Sequence, residues 1–156
     1  MYPSEARTGR ENQRYTTDGI RQVSIGITID PKTKKVLLIT SSKYPNAWVL
    51  PKGGWENDET QEEAAKRETY EEAGVLGEIV SFLGNDQDYS FDGKPKTFYW
   101  IYELYVNKIM DTWPENNIRQ RDWFTYDEAI EKLKRKSVLQ NALKKSSIAS
   151  SSITSL

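Results

Sequence analysis

An α/β sandwich, with helices on both sides of a β-sheet, is the fold class that this 156-residue chain predicts. Three observations lead there. Residues 21–29 alternate apolar and polar side chains at the two-residue period of a strand, with Val23, Ile25, Ile27 and Ile29 on one face. Residues 61–73 carry start and stop signals of a single helix, flanked on both sides by strand-like runs. The chain then closes on two further helical segments, so helices are available to cover both faces of one sheet.

The elements follow in order. Residues 1–18 lack periodicity and form an extended N-terminal arm. After the first strand, Asp30-Pro31-Lys32-Thr33 makes a turn, and residues 36–39 (VLLI) form a second, more buried strand. Residues 48–50 make a short strand, ended by Pro51 and the pair Gly53-Gly54. Thr60 and Glu63 have the spacing of a capping box and Gly74 is a C-terminal stop, which sets the helix at 61–73. Residues 78–83 and 97–106 are further strands joined by a loop carrying Asp92-Gly93, and Trp123-Phe124 adds a short one. Asp127 is expected to cap a helix whose apolar stripe is Ala129, Ile130 and Leu133, and residues 138–144 form another short helix. The tail SSIASSSITSL is low in complexity and reads as disordered. The expected organisation is an arm at 1–18, one domain at 19–145 and a Ser-rich tail at 146–156.

Composition removes whole classes of chemistry. The chain contains no cysteine and no histidine. That excludes disulfides, cysteinyl nucleophiles, Ser-His-Asp triads, phosphohistidine routes and His/Cys zinc sites. No apolar run approaches the ~18 residues of a membrane span, and the N-terminus is polar, so a location in cytoplasm or nucleus is expected. The net charge of −1 hides a division. Residues 53–74 hold eight of the 23 acidic residues and two of the 22 basic ones, a local charge of −6 against +5 elsewhere. An acidic strip in an otherwise basic chain suits a metal site beside a polyanion pocket. Carboxylates, hard metal ions and cationic clamps are the remaining means of hydrolysing a polyphosphate.

Glu68, Glu71 and Glu72 stand at i, i+3 and i+4, on one face of the helix, where like charges repel. A hard divalent cation with oxygen ligands would offset that repulsion. Arg67 immediately precedes the triplet. Together Gly53, Glu59, Arg67, Glu68, Glu71, Glu72 and Gly74 fit the spacing G-x5-E-x7-R-E-x-x-E-E-x-G. This pattern resembles the signature of the Nudix hydrolase family. Val75 supplies the aliphatic residue expected after the last glycine, whereas Thr69 departs from the aliphatic residue expected after Arg-Glu.

The resemblance implies an α/β/α sandwich with a mixed sheet and hydrolysis of a diphosphate linkage with Mg²⁺, or Mn²⁺ in its place. It implies Glu68 and Glu72 as metal ligands, helped by a carbonyl of Gly53 or Gly54. Glu71 would be a third ligand or the base, a role that Glu68 could equally fill. Glu59 and Arg67 would pair to lock the preceding loop onto the helix.

Outside that box, GRENQRY (9–15), ITSSKYPNAWVLPKGG (39–54) and IRQRDWFTYDEAIEKL (118–133) are similar to the diphosphoinositol polyphosphate phosphohydrolases, the fungal members most of all. That similarity spans about residues 9–140. It implies cleavage of inositol pyrophosphates, with diadenosine polyphosphates and inorganic polyphosphate as further substrates. Arg14, Arg21, Ser41, Lys43, Arg119 and Lys136 occupy positions of phosphate-binding residues in that group. Lys43 replaces an arginine of animal relatives, and Val23 a base found in some of them. A phosphate-crowded ring needs many cationic and hydroxyl donors, which adds Ser42, Lys52 and Arg121 as candidates.

Aromatic residues support a rival reading. The chain has five Trp and nine Tyr. Trp48, Trp100, Trp113 and Trp123 are expected in the core and Trp55 at the pocket mouth, while Tyr44, Tyr89 and Phe91 could stack a nucleobase. A nucleotide or diadenosine polyphosphatase is therefore the alternative, ahead of an RNA-decapping enzyme or a non-catalytic sensor. RNA binding calls for an extended basic surface, which this near-neutral chain does not suggest. The expected partner is one small polyanionic substrate, bound by a monomer, with no membrane and no nucleic acid.

Overall fold

The computed structural model of the protein describes residues 2–149. Its centre is strand β1 (Arg21–Asp30), whose two faces are filled differently. Val23, Ile25, Ile27 and Ile29 point to one side and pack with Leu133, Leu139 and Leu143, from the C-terminal helices. In its buried stretch the opposite face carries only Ser24, Gly26 and Thr28. These small residues let helix α1 (Gln61–Ala73) lie close to the sheet. A Cβ added at Gly26 would lie 2.5 Å from Thr69 Oγ1, and Ser24 Oγ donates to the Gln61 carbonyl at 3.1 Å. Thr69 is itself fully buried. Its hydroxyl donates to the Ala65 carbonyl at 2.8 Å, so the departure from an aliphatic residue leaves no polar group unpaired.

The sheet is mixed and seven-stranded, in the order β3-β2-β1-β6-β5, with β4 on β1 and β7 on β2. The strands are β2 (Lys35–Thr40), β3 (Trp48–Val49), β4 (Lys52–Gly54), β5 (Val75–Tyr89), β6 (Pro95–Ile109) and β7 (Arg121–Phe124). β1 and β6 run parallel, and the other pairs are antiparallel. Helices α2 (Tyr126–Lys132) and α3 (Ser137–Lys144) cover the face opposite α1, completing the α/β/α sandwich. β1 and β2 pair at Ile29–Val36 and Asp30–Lys35, after which β4 takes over that edge of β1 at residues 23–25. The two strands therefore diverge, and the candidate site lies where they part.

Several elements differ from the sequence reading. Gly53 and Gly54, read as a strand stop, are themselves strand, because glycine is what lets side chains press onto β4. A Cβ at Gly53 would fall 2.1 Å from Glu68 Cδ, and one at Gly54 2.2 Å from Gln13 Cδ. β5 and β6 each run to 15 residues. Bulges at Leu76/Gly77, Ile79/Ser81 and Phe82/Gly84 break the alternation that would have revealed their length. Helix α2 is capped by Thr125 rather than Asp127, since Thr125 and Glu128 form a reciprocal capping box. The tail assignment also changes over 146–149. Ser146, Ile148 and Ala149 are buried, and Ser147 donates from its amide and hydroxyl to Glu103 at 2.8 and 2.6 Å. Those bonds satisfy a carboxylate that is only 2 % exposed. Residues 150–156 of the tail lie outside the described residues. Trp48, Trp100, Trp113 and Trp123 are half-buried at the margins of the core rather than inside it. Among the described residues no helix is long and apolar enough to cross a membrane.

Candidate active site

Charged side chains are seldom buried unless paired, yet Glu59, Arg67, Glu68, Glu71 and Glu72 are all at most 9 % exposed. Arg67 explains how. Its five N–H groups are all engaged. Nε and Nη2 grip Glu59 at 2.9 and 2.8 Å, and Nη2 also meets the Gly54 carbonyl at 2.9 Å. Nη1 reaches Glu68 at 2.8 Å and Glu71 at 3.2 Å. Glu59 in turn accepts the Glu56 amide at 3.1 Å, which ties the loop before α1 to the helix. This is a preorganised fork of the kind that only a guanidinium can make.

The remaining donors come from farther away. Glu72 accepts the Lys52 amide at 3.0 Å and Arg119 Nη2 at 3.3 Å. Glu71 accepts the amide of Arg7, in the N-terminal arm, at 3.3 Å. The Arg7 guanidinium bridges Glu56 and Asp58 at 2.7 and 2.8 Å, so the arm forms one wall of the acidic cleft. Burial, then repulsion from Glu72, holds the Glu68 carboxyl well above the usual carboxylate range. Burial raises Glu72 to about 7 against the opposing pull of Arg119 and Lys52. Burial likewise raises Glu71, with Arg67 acting the other way.

Three desolvated carboxylates that resist ionisation beside one another are a donor set suited to a hard divalent cation. Glu68, Glu71 and Glu72 fit such an ion by chemistry. Among the described residues no three acids converge as a finished cage, and each of these three carboxylates already accepts an arginine or a backbone amide. The Gly54 carbonyl, one of the two glycine carbonyls proposed as ligands, serves Arg67 instead.

The cleft that holds the acids of α1, a cavity of about 420 Å³ lined by five carboxylates and eight cations, shares part of its wall with a second cavity of about 390 Å³. Lys43, Lys52, Lys96 and Lys136 line both. The second cavity adds Arg119, Arg135, Ser41 and Ser42, six cations in all and no carboxylate. Arg119 is compensated by Glu72 and Glu115, and Lys136 by Asp88 at 3.6 Å. Among the described residues Lys43, Lys52, Lys96 and Arg135 have no acidic partner within ion-pair distance. Burial lowers the Lys52 pKa against the opposing pull of Glu72, and Lys136, Arg21 and Arg119 add to the lowering.

Most of the bases singled out in the sequence meet here, but two do not. Arg14 turns away, donating to the Glu56 and Asn57 carbonyls and lying 4.4 Å from the Trp55 ring centroid. Arg121 caps the end of α1, donating to the carbonyls of Ala73, Gly74 and Met110 while stacked 3.9 Å from Trp113. In both cases bare backbone carbonyls compete successfully for the guanidinium. Arg21 lines the acidic cavity and donates to Gln13 at 2.7 Å. Ser41 shapes the loop after β2, its Oγ accepting the amides of Lys43 and Tyr44 at 3.1 Å each. The sequence reading missed Arg7, Arg10, Lys96 and Arg135 as lining residues. Arg10 sits inside the GRENQ segment that had been singled out, while the other three carry no local signal.

The family profile of the NUDIX domain matches residues 20–144. The chain belongs to the Nudix family. It is 43 % identical over 146 residues to Nudix hydrolase 16, mitochondrial, of Arabidopsis thaliana, covering 81 % of this chain and 79 % of that one. It is 40 % identical over 134 residues to diphosphoinositol polyphosphate phosphohydrolase 2 of Mus musculus, covering 84 % of this chain and 69 % of the relative. Among solved structures, a NUDIX hydrolase from Nitrosomonas europaea superposes with a TM-score of 0.68 at 18 % identity, over 81 % of this chain and 87 % of that one. An Ap4A hydrolase of C. elegans gives 0.61 at 23 %, over 88 % of this chain and all of that one. The last two likenesses concern the fold alone. As a Nudix hydrolase the protein falls among enzymes that generally use divalent ions such as Mg²⁺, which agrees with the donor set on α1.

Proposed function

We propose that this Nudix hydrolase cleaves the diphosphate of inositol pyrophosphates, with diadenosine polyphosphates and inorganic polyphosphate as further substrates. The observation that carries the reading is the six-cation, carboxylate-free cavity joined to the acidic face of α1. A ring crowded with phosphates needs many donors, and four of the six cations here have no acidic partner within ion-pair distance among the described residues. The name of the mouse relative points the same way. The rival reading, recognition of a nucleobase, has less support. Tyr44 already bears Arg135 on its ring, and Tyr89 and Phe91 line neither cavity.

In this reading Glu68 and Glu72 hold Mg²⁺, with Mn²⁺ able to replace it. The bound ion would neutralise phosphate charge and favour the ionised form of water. Lys52 and Lys136, at the junction of the two cavities, would hold the diphosphate against α1, and Lys43 and Arg119 the phosphates beyond it. Arg67 keeps the loop and the helix in register, and Glu71 or Glu68 takes the proton from the attacking water. The test offers diphosphoinositol pentakisphosphate and diadenosine hexaphosphate together, with Mg²⁺, to the wild type and to Glu72→Gln. The inositol substrate should disappear first, and Glu72→Gln should slow its loss by at least roughly a thousand-fold with an unchanged circular dichroism spectrum. Faster loss of the dinucleotide would favour the rival reading, and a fully active, folded variant would remove Glu72 from the metal site.

A further inference from the structure

We propose that Arg135, seated on the ring of Tyr44, is a specificity-determining residue that favours phosphate-crowded rings over linear polyphosphate chains. The proposal rests on the reading of the basic cavity as the polyanion site and deepens it. Arg135 lies in the turn between α2 and α3, and Tyr44 in the loop between β2 and β3. Tertiary folding brings the Arg135 guanidinium carbon to 3.8 Å from the Tyr44 ring centroid. Lys43 Nζ stands 5.4 Å from the same ring. Ser41 Oγ holds the loop in this shape through the amides of Lys43 and Tyr44. The Tyr44 phenol is held below its usual range by the charge of Lys43 and then by a hydrogen bond from Arg135.

A guanidinium lying over an aromatic ring turns part of its donor set to the phenol and keeps others of its five N–H groups with which to grip a phosphate. No carboxylate among the described residues competes for Arg135 within ion-pair distance. Position decides what the guanidinium can reach. Lys43, Lys52, Lys96 and Lys136 line both cavities, whereas Arg135 and Tyr44 line only the basic one. The phosphates that Arg135 meets are therefore not those reacting beside α1. A ring carrying phosphates all around its rim places one at that wall while its diphosphate sits at the acidic end. A linear chain held in line with the acidic end has no branch to place there. Arg135 thus acts on affinity for branched polyanions and leaves the chemical step alone.

The test uses Arg135→Ala, Arg135→Lys and Tyr44→Leu. Inositol hexakisphosphate, which has no diphosphate to cleave, serves as the calorimetric probe, and kinetics follow with diphosphoinositol pentakisphosphate and diadenosine hexaphosphate. For Arg135→Ala the Kd of the probe should rise about ten-fold, the loss expected of one charge-assisted contact. Arg135→Lys should recover little of it, because an ammonium has no fork, and Tyr44→Leu should cost about three-fold. The inositol substrate should lose the same factors through KM with kcat held, shifting the preference toward the dinucleotide by about five-fold or more. An unchanged Kd, or equal losses for both substrates, would overturn the proposal while leaving the functional reading intact. A wild type that neither binds the probe nor cleaves the inositol substrate would overturn the functional reading, and this inference with it.

Discussion

The two ends of the cleft handle charge in opposite ways. At the acidic end every buried carboxylate already has an internal counter-charge or amide: Glu59, Glu68 and Glu71 share Arg67, and Glu72 has Arg119 and the Lys52 amide. At the basic end four cations face one cavity without an acidic partner among the described residues. The first arrangement is self-neutralised and rigid. The second stores repulsion that an incoming polyanion relieves. The helix is thus built to hold a fixed geometry, whereas the cavity is built to attract.

That contrast can be broken most sharply at Arg67. Arg67→Ala would leave Glu59, Glu68 and Glu71 buried without their shared partner, which should cost about 3–5 kcal/mol in urea unfolding. A loss below about 1 kcal/mol would mean that the acidic end is not held together by this fork. The next effect belongs to the basic end. Lys43→Ala removes an uncompensated charge, so KM for a polyphosphate substrate should rise about ten-fold with kcat within about two-fold, and thermal stability should not fall. A Tm that drops with no change in KM would make Lys43 a structural residue. Arg119→Ala is a blunter tool, since Arg119 also holds Glu72, Glu115 and the Thr40 carbonyl. The smallest effect is expected outside the cleft. Arg121→Ala should lose about 1–2 kcal/mol of stability, through the α1 terminus and the stack on Trp113, with KM little changed. A ten-fold rise in KM there would return Arg121 to the substrate site.

Much of this molecule was legible from local pattern. The helix at 61–73 is bounded as its capping box and Gly74 predict, and the apolar face of β1 points into the core as its alternation predicts. The pairing of Glu59 with Arg67 also follows the spacing of the box. Each of these rests on residues that are neighbours along the chain, or on a signature whose geometry one helix and the loop before it contain. The lengths of β5 and β6 were hidden for a local reason too, because bulges reset the alternation that reveals a strand.

What the amino-acid sequence determined alone, then, is the fold class, the acid-bearing helix and the excess of bases around it. Tertiary structure decided which basic side chains serve it. Arg121 and Arg14 look like phosphate ligands until the carbonyls of Ala73, Gly74 and Met110 and of Glu56 and Asn57 claim them. Arg7 and Arg135 look like solvated surface until folding sets one against Glu56 and the other against Tyr44. Period and caps are properties of a few adjacent residues, whereas the fate of a long, flexible cation depends on acceptors that arrive from dozens of residues away.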